Sequence, residues 1–368
     1  MISGRALLLA FALGAVACGG KKQAVAPVLP PAKPEAVGKM VQAIQTAKDP
    51  NGKDRAISLL EEAVKTDAQL WEARYNLGVL YAEKGDLGAA ERQLAEAQTL
   101  APNAEDVAVA LAEVRRRRGD ADGAIAALSG FVAQNPKAAI APIALVTALR
   151  EGGKVEEAIA QGRKVLVRHS NDPNALAELA LSHLELGEPD TAELLIKEAL
   201  KADAKSAVAE RAAGLIALDK GDDAVAFQHF AKAGELDPKD TTARINMGTV
   251  LLEAGVYDRA AEHFRAVLEI EPDSISAKLG LAAARRGQGK RDETGPYLEA
   301  EKLLKQVLDR EPKNLSATLN LGVLYADHLK RPAEAAPLLQ RFLDDAPKKH
   351  PGRPDAEKTL AAVMAQKK

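Results

Sequence analysis

Residues 71–104 read WEARYNLGVLYAEKGDLGAAERQLAEAQTLAPNA, and this stretch decides the fold. Apolar and small residues such as Gly78 and Tyr81 recur with a helical period, Gly85 interrupts them, and a second helical run follows up to Pro102. The turn glycine then recurs every 34 residues, at Gly85, Gly119, Gly153, Gly187, Gly221, Gly255 and Gly289. A period of 34 residues is typical of a helix-turn-helix unit copied head to tail. The chain is therefore predicted to be a helical solenoid.

Small residues recur where the two helices of a repeat must cross. Glycine or alanine holds the eighth place of most repeats, as at Gly78, and alanine holds the facing place of the second helix, as at Ala90. Large residues such as Leu94 alternate with them and are expected to wedge between successive repeats. Proline ends most second helices. The pattern indicates an all-α protein, in agreement with an aromatic content of only 3%.

These features resemble the tetratricopeptide repeat (TPR). The resemblance implies an all-α TPR solenoid, a right-handed superhelix of about nine helix-turn-helix repeats. The repeats begin near Val37, Trp71, Glu105, Ala139, Pro173, Ala207, Thr241, Ile275 and Leu315. We predict the array over residues 37–349, with about six extra residues in the turn of the eighth repeat and about one in the ninth.

A capping helix is predicted within residues 350–368, with Leu360, Val363 and Met364 facing the last repeat. At the other end, the first helix of the first repeat is predicted from Lys39.

The fourth repeat departs from the pattern. Pro142 falls in its first helix, Val146 replaces the small crossing residue, Gly162 replaces the large wedge, and Ser170 replaces the terminal proline. Two interpretations remain open. The repeat is either an ordinary one that has drifted in sequence, or a flexible point in the array.

The N-terminus has the organisation of a signal peptide. Residues 1–17 combine a basic start, a short apolar run and small residues, and the apolar part is too short to remain as a membrane-spanning helix. The residues LGAVAC that end at Cys18 resemble the lipobox of bacterial lipoproteins. The resemblance implies that Cys18 becomes the acylated first residue, carrying chains such as palmitate. An ordinary cleaved signal with an incidental cysteine is the alternative.

The segment after the cysteine is predicted to be a tether. Residues 18–36 are rich in proline and poor in apolar residues, which favours an extended chain. Gly19, rather than aspartate, follows Cys18, and by resemblance this favours the outer membrane. We therefore expect a lipid-anchored protein that faces the periplasm.

Composition and motifs argue against catalysis and against nucleic-acid binding. The chain has 50 basic and 52 acidic residues, so it has no global field that would attract nucleic acid. Cys18 is the only cysteine, which excludes an intramolecular disulfide. His229 and His263 lie one period apart, but two histidines alone make a poor metal site, and we expect both to face solvent. We predict no catalytic residue, no metal and no cofactor.

The resemblance also implies a binding groove, because proteins of this family usually hold a partner's peptide or helix along their first helices. The predicted partner-binding residues are Tyr75, Val109, Arg116, Ile143, Leu181, Leu184, Arg211, Leu215, Leu218, Ile245 and Leu252. The aliphatic residues from Leu181 to Leu252 are expected to form an exposed apolar strip over three repeats. The alternative is that inward curvature buries part of this strip between the first helices.

Two further features bear on the partner. Family members that clamp a chaperone's C-terminal carboxylate need lysine and asparagine at groove places that hold Tyr75 and Glu113 here, so that function is not expected. Arg115 to Arg118 end a first helix, where cations complement the helix dipole; an anionic partner is the alternative reading of this run.

The sequence thus predicts a non-catalytic protein-binding scaffold or assembly factor of a Gram-negative envelope machine. The resemblance suggests a pilotin-like protein of a type IV pilus secretin or a subunit of a gliding-motility complex. The alternative is a component of a polysaccharide export or cell-wall modification apparatus. An enzyme is a third possibility without any supporting motif.

Overall fold

The described part of the molecule is helical throughout. The structure is a computed structural model and describes residues 30–49, 51–290 and 293–365. These residues contain nineteen α-helices, one π-helical turn and no β-strand, which confirms the predicted all-α solenoid. The predicted signal peptide and Cys18 lie outside the described residues.

Two helices recur in each repeat. The first helices are α1 (Pro34–Thr46), α3 (Trp71–Glu83), α5 (Glu105–Arg117), α7 (Ala141–Glu151), α9 (Pro173–Glu185), α11 (Ala207–Asp219), α13 (Thr241–Glu253), α15 (Ile275–Gln288) and α17 (Leu315–Val323). The second helices are α2 (Lys53–Thr66), α4 (Leu87–Leu100), α6 (Ala121–Gln134), α8 (Val155–Arg168), α10 (Pro189–Ala202), α12 (Asp223–Leu236), α14 (Tyr257–Ile270), α16 (Gly295–Arg310) and α18 (Pro332–Asp345). Helix α19 (Arg353–Ala365) follows the last pair.

The chain divides into two compact units. Unit 1 is Met1–Asp222, whose described residues form α1 to α11, and unit 2 is Asp223–Lys368, whose described residues form α12 to α19. Within each unit, helices that follow one another in the chain pack against each other. No described helix has the length and apolar character needed to cross a membrane.

Small and large residues interlock where the helices of a repeat cross. The facing alanines are fully buried: Ala56, Ala90, Ala124, Ala158 and Ala192 in unit 1, and Ala226, Ala260 and Ala300 in unit 2. A Cβ atom at Gly78 would lie 2.6 Å from Cγ of Leu94, and one at Gly248 would lie 2.9 Å from the ring of Phe264. The first helix therefore needs a small residue wherever the second carries a large one.

Six of the seven periodic glycines turn the chain in the left-handed region. From Gly85 to Gly255 their φ angles lie between 72° and 82°, where a Cβ atom is unfavourable. Gly289 differs, because its φ is −63° and a Cβ there would lie 2.2 Å from Cε1 of Tyr297. The prediction of one role for all seven is wrong at Gly289. The longer turn leaves α15 in an extended conformation, and glycine is needed there for the approach of the ring.

The fourth repeat begins with a helix that the preceding repeat caps. Helix α7 starts at Ala141, so Pro142 lies in its first turn, where proline costs no hydrogen bond, and not in the helix interior. Ile140 has no side chain that can cap the helix. Instead the Glu105 carboxylate accepts hydrogen bonds from the backbone N–H groups of Ala139, Ile140 and Ala141, at 3.3, 2.5 and 2.6 Å.

The ninth repeat takes up its extra residue inside the first helix. Helix α17 continues into a π-helical turn, Leu324–His328, closed by a 3.0 Å hydrogen bond from the Leu329 N–H to the Leu324 carbonyl. Lys330 then adopts a φ of 54°, the conformation that glycine supplies in six other turns.

Helix α1 begins earlier than the sequence predicts. It starts at Pro34, inside the segment predicted as tether over residues 18–36, and before the predicted start at Lys39. Proline favours the first turn of a helix, because its φ is preset and its missing N–H would have no partner there. Ala36 and Met40 are buried in the first core cluster, which explains why the helix extends this far.

Helix α19 packs on the last repeat through Ala356 and Val363, which are buried, and Leu360, which is half-buried. Met364 is 52% exposed, so its predicted contact with the last repeat is wrong. Ala356 takes that role because it lies seven residues before Val363, on the same side of the helix.

Candidate protein-binding site

The first helices form one side of unit 1. Each of α3, α5, α7, α9 and α11 contacts the next first helix, whereas consecutive second helices in this unit have no comparable contact. The first helices are therefore on the inner side of the curvature of unit 1. We call the surface formed by these five helices the first-helix face. In unit 2, α13, α15 and α17 contact one another in the same way.

Most of the predicted partner-binding residues are half-buried. In unit 1 these are Tyr75, Val109, Arg116, Ile143, Leu184, Arg211, Leu215 and Leu218, and in unit 2 they are Ile245 and Leu252. Leu181 is buried, with 8% of its surface exposed. The expected strip of fully exposed aliphatic side chains is therefore absent from these described positions.

Packing between neighbouring first helices accounts for this burial. Leu184 and Leu215 lie against the core cluster of α9, α10 and α11, which includes Leu181 and Ile216. In unit 2, Ile245 and Leu252 pack against the cluster around Phe264. The curvature alternative thus describes these side chains better, and each retains only part of its surface for a partner.

An ion-pair network crosses the first-helix face, and the sequence interpretation did not anticipate it. Arg116 of α5 binds Glu113 on its own helix at 2.8 Å through Nε, and it binds Glu151 of α7 at 2.6 Å through Nη1. Burial raises the pKa of Glu113, but the hydrogen bonds from Arg116 more than offset this and hold it below its ordinary value.

The network continues in the next repeat. Arg150 of α7 binds Glu178 of α9 at 3.2 Å through Nε and Glu185 at 2.7 Å through Nη1. Glu178 is buried, with 6% of its surface exposed. Burial lowers the pKa of Arg150, and the neighbouring carboxylates raise it further than burial lowers it, so it stays above its ordinary value.

We call these six residues the arginine ladder: Glu113, Arg116, Glu151, Arg150, Glu178 and Glu185. Its signal in the sequence is an arginine that is followed 35 residues later by a glutamate, in two successive repeats. The ladder joins α5, α7 and α9 through polar contacts, which fixes their side chains on the face that a partner would meet.

Tyr75 begins the predicted groove as a neutral phenol. Burial raises its pKa to about 12, and the Asp106 carboxylate adds to this effect. The side chain can therefore donate a hydrogen bond to a partner at any physiological pH.

Comparison with known proteins decides the family. A family model described as tetratricopeptide repeat matches residues 45–105, 109–173, 177–241 and 291–350, more than half of the chain, and a second model of the same description matches residues 217–284. The chain belongs to the tetratricopeptide repeat family. No curated protein matches the chain by sequence.

Solved TPR structures have the same fold. The Cut9–Hcn1 hetero-tetramer of the APC/C matches with a TM-score of 0.60 and 17% identity, over 84% of this chain and 59% of that chain. PilF of Pseudomonas aeruginosa matches with a TM-score of 0.50 and 21% identity, over 61% of this chain and 96% of that one. Yeast Tom70 matches with a TM-score of 0.47 and 13% identity, over 90% and 96%. At these identities the likeness shows the fold alone.

The arginine run at the end of α5 is largely used within the TPR array. Arg115 binds Glu91 of α4 at 3.0 Å, and Arg118 binds the same carboxylate. Arg116 belongs to the arginine ladder, and Arg117 is exposed. Three of the four guanidinium groups therefore already have carboxylate partners, which leaves less charge for an anionic ligand than the sequence suggests.

His263 does not face solvent as expected. It is half-buried in this TPR unit, with its ring 6.4 Å from that of Phe227 in an edge-on arrangement. Burial lowers its pKa, and the nearby cations Arg244 and Arg259 lower it further, so it is neutral at physiological pH. The described residues hold no group of three or more histidine, cysteine, aspartate or glutamate side chains placed to bind a metal ion.

Proposed function

We propose that this TPR protein is a non-catalytic scaffold that binds a protein partner along the first-helix face of unit 1. The observation that carries this proposal is the continuity of that face over α3, α5, α7, α9 and α11. It combines half-buried aliphatic side chains with a fixed network of charges, and such mixed surfaces are typical of protein interfaces.

The proposal includes anchoring to a membrane through Cys18. Its support is the signal-like segment before Cys18 and the resemblance of LGAVAC to a lipobox. An acyl chain on this residue would hold the array at the outer membrane, facing the periplasm. In that setting the partner is a subunit of an envelope machine, such as a type IV pilus secretin or a gliding-motility complex.

The anchor has a direct test. Replacing Cys18 with serine removes the only thiol in the chain. The variant should move from the membrane fraction to the soluble fraction, and mass spectrometry should find acyl chains only on the wild-type protein. A wild-type protein with an unmodified mature N-terminus would refute this part of the proposal.

The binding face is tested with a matched pair of leucine variants. Leu218 is half-buried on α11 and Leu194 is 62% exposed on α10, a second helix. Crosslinked pulldown from envelopes should lose the partner with Leu218→Glu and retain it with Leu194→Glu, while circular dichroism shows both folded. Equal recovery by both variants would refute the face. Recovery of polysaccharide exporters or synthases in place of secretin or motility subunits would favour the alternative apparatus.

A further inference from the structure

A row of carboxylates runs along the first-helix face at the ends of three successive helices. Glu151, Glu185 and Asp219 are the last residues of α7, α9 and α11 and follow one another at intervals of 34 residues. All three are exposed. We call them the carboxylate row. It presents one acidic group per repeat along one edge of unit 1.

The arginine ladder does not neutralise this row. Each of its two arginines binds two carboxylates, one that lies deeper in the face and one that belongs to the row. Four carboxylates thus share two guanidinium groups. Asp219 adds a further negative charge at the end of the row. This part of the face therefore has a surplus of negative charge that a cationic partner would balance.

Aliphatic side chains accompany the row. Leu184 directly precedes Glu185, and Leu218 directly precedes Asp219. Leu215 lies one helical turn before Leu218, on the same side of α11. All three leucines are half-buried, so each keeps some apolar surface beside the acidic groups. The face is thus complementary to a ligand that carries cations along one side of an apolar stripe.

The spacing of the row selects the form of that ligand. Packed helices lie about 8–10 Å apart, so successive carboxylates of the row repeat at about that distance. An α-helix advances about 1.5 Å per residue, so a cation every seventh residue recurs at about 10.5 Å. A helix with one lysine or arginine per heptad would therefore match the row repeat by repeat.

We propose that the partner segment bound on α7, α9 and α11 is a cationic amphipathic helix. Its apolar stripe lies on Leu184, Leu215 and Leu218, and its basic residues, one per heptad, pair with the carboxylate row. This inference rests on the proposed function and specifies the chemistry of the partner.

Designed peptides test the inference on the full chain carrying Cys18→Ser. A helix-forming peptide of about three heptads with one lysine per heptad is compared with the same peptide carrying glutamate at those places. Fluorescence anisotropy at about 50 mM salt should show the lysine peptide binding at least about tenfold tighter, with the preference shrinking at about 300 mM salt. Circular dichroism should show that the bound peptide gains helicity. Equal affinities, or binding without added helicity, would overturn the inference.

Matched charge variants locate the effect. The triple variant Glu151→Gln, Glu185→Gln, Asp219→Asn removes the row, whereas Glu156→Gln, Glu157→Gln, Asp190→Asn removes the same charge from exposed places on α8 and α10. Only the first should weaken lysine-peptide binding, by about tenfold, and an unchanged affinity would contradict the proposal. If Leu218→Glu abolishes partner recovery from envelopes but the row variant does not, the scaffold function stands and the cationic helix fails. If neither variant changes recovery, both fail.

Discussion

Val146 and Gly162 have exchanged the sizes that other repeats assign to their positions. Val146 is fully buried at the crossing place that glycine holds at Gly78 and Gly248. Gly162 stands at the wedge place, where Leu94 is found in the second repeat. A Cβ atom at Gly162 would lie 3.1 Å from Cδ1 of Leu179 and 3.8 Å from Cγ2 of Val146. Neighbouring side chains therefore fill the space that the missing wedge would leave.

This exchange predicts a coupled double mutant. Gly162→Leu alone should overpack the crossing and cost about 1–3 kcal/mol. Val146→Ala alone should leave a cavity and cost about 2 kcal/mol. Together they restore the small–large arrangement of the other repeats, so the double variant should lose less than the sum by about 1 kcal/mol or more. Urea unfolding followed by circular dichroism measures all three free energies.

The control for this cycle is Gly248→Ala, which adds a Cβ atom 2.9 Å from the Phe264 ring without any compensating change. It should be destabilising by itself. Strict additivity of the Val146 and Gly162 substitutions would show that the two positions do not share one packing site.

The fold could be predicted from the sequence because the 34-residue period samples each structural constraint many times. One degenerate repeat, such as the one with Val146 and Gly162, does not disturb that inference. Compensation within a repeat is invisible to a position-by-position comparison, so the fourth repeat looked worse than it packs. Gly289 shows the converse, because a periodic residue changed its role when the turn became longer.

The binding face could be located from the sequence, but its chemistry could not. Placement on the first helices follows from helical periodicity, and it put Leu181 and Leu215 on the correct helices. Burial of Leu181 depends on how closely neighbouring first helices approach, which no single repeat encodes. The pairing of Arg150 with Glu185 depends on side chains from different repeats, whose rotamers are set only by the packed array.

The Glu105 cap predicts a local effect one repeat away. Glu105→Ala removes the acceptor of the backbone N–H groups at the start of α7 and should cost about 1 kcal/mol. Hydrogen exchange should accelerate at the first amides of α7. In the wild type, the interior amides of α7 and α8 should exchange as slowly as those of α5 and α6, as expected for an ordinary repeat and not for a flexible point.

Two further variants serve as controls for that cap. Glu105→Gln keeps an oxygen acceptor and should retain part of the protection, whereas Glu96→Ala changes an exposed carboxylate of α4 and should leave α7 unaffected. Faster exchange across all of α7 and α8 in the wild type would support the flexible-point interpretation instead.

Lys330 predicts a stabilising substitution. Its φ of 54° lies in the left-handed region, which six turn glycines occupy in other repeats. Lys330→Gly should therefore raise the free energy of unfolding by about 0.5–1 kcal/mol, because it removes the Cβ strain. Gly119→Ala is the reciprocal change, since its φ is 82° and no atom lies within 4 Å of the added Cβ. It should lower stability by about 1 kcal/mol, and thermal melts that move both variants in the same direction would contradict this account.

Glu301 predicts the pH dependence of unit 2. Its carboxylate is almost fully buried and accepts hydrogen bonds from Tyr325 Oη at 2.9 Å, Lys305 Nζ at 2.7 Å and Arg331 Nη1 at 3.1 Å. Burial raises the pKa of Glu301, but the hydrogen bonds from Lys305 and Tyr325 more than offset it and hold the pKa below its ordinary value of 4.5.

Because the folded-state pKa of Glu301 is depressed, its contribution to stability is complete above pH 4.5 and is lost as pH falls through the folded-state value. Glu301→Gln should cost roughly 1–3 kcal/mol at pH 7, since two cations and a tyrosine lose a charged acceptor. Urea unfolding from pH 7 to pH 3 should then show a shallower acid dependence than the wild type. Glu269→Gln, at an exposed place on α14, should leave both the stability and its pH slope unchanged. An acid slope that Glu301→Gln does not reduce would mean that other carboxylates govern the acid unfolding.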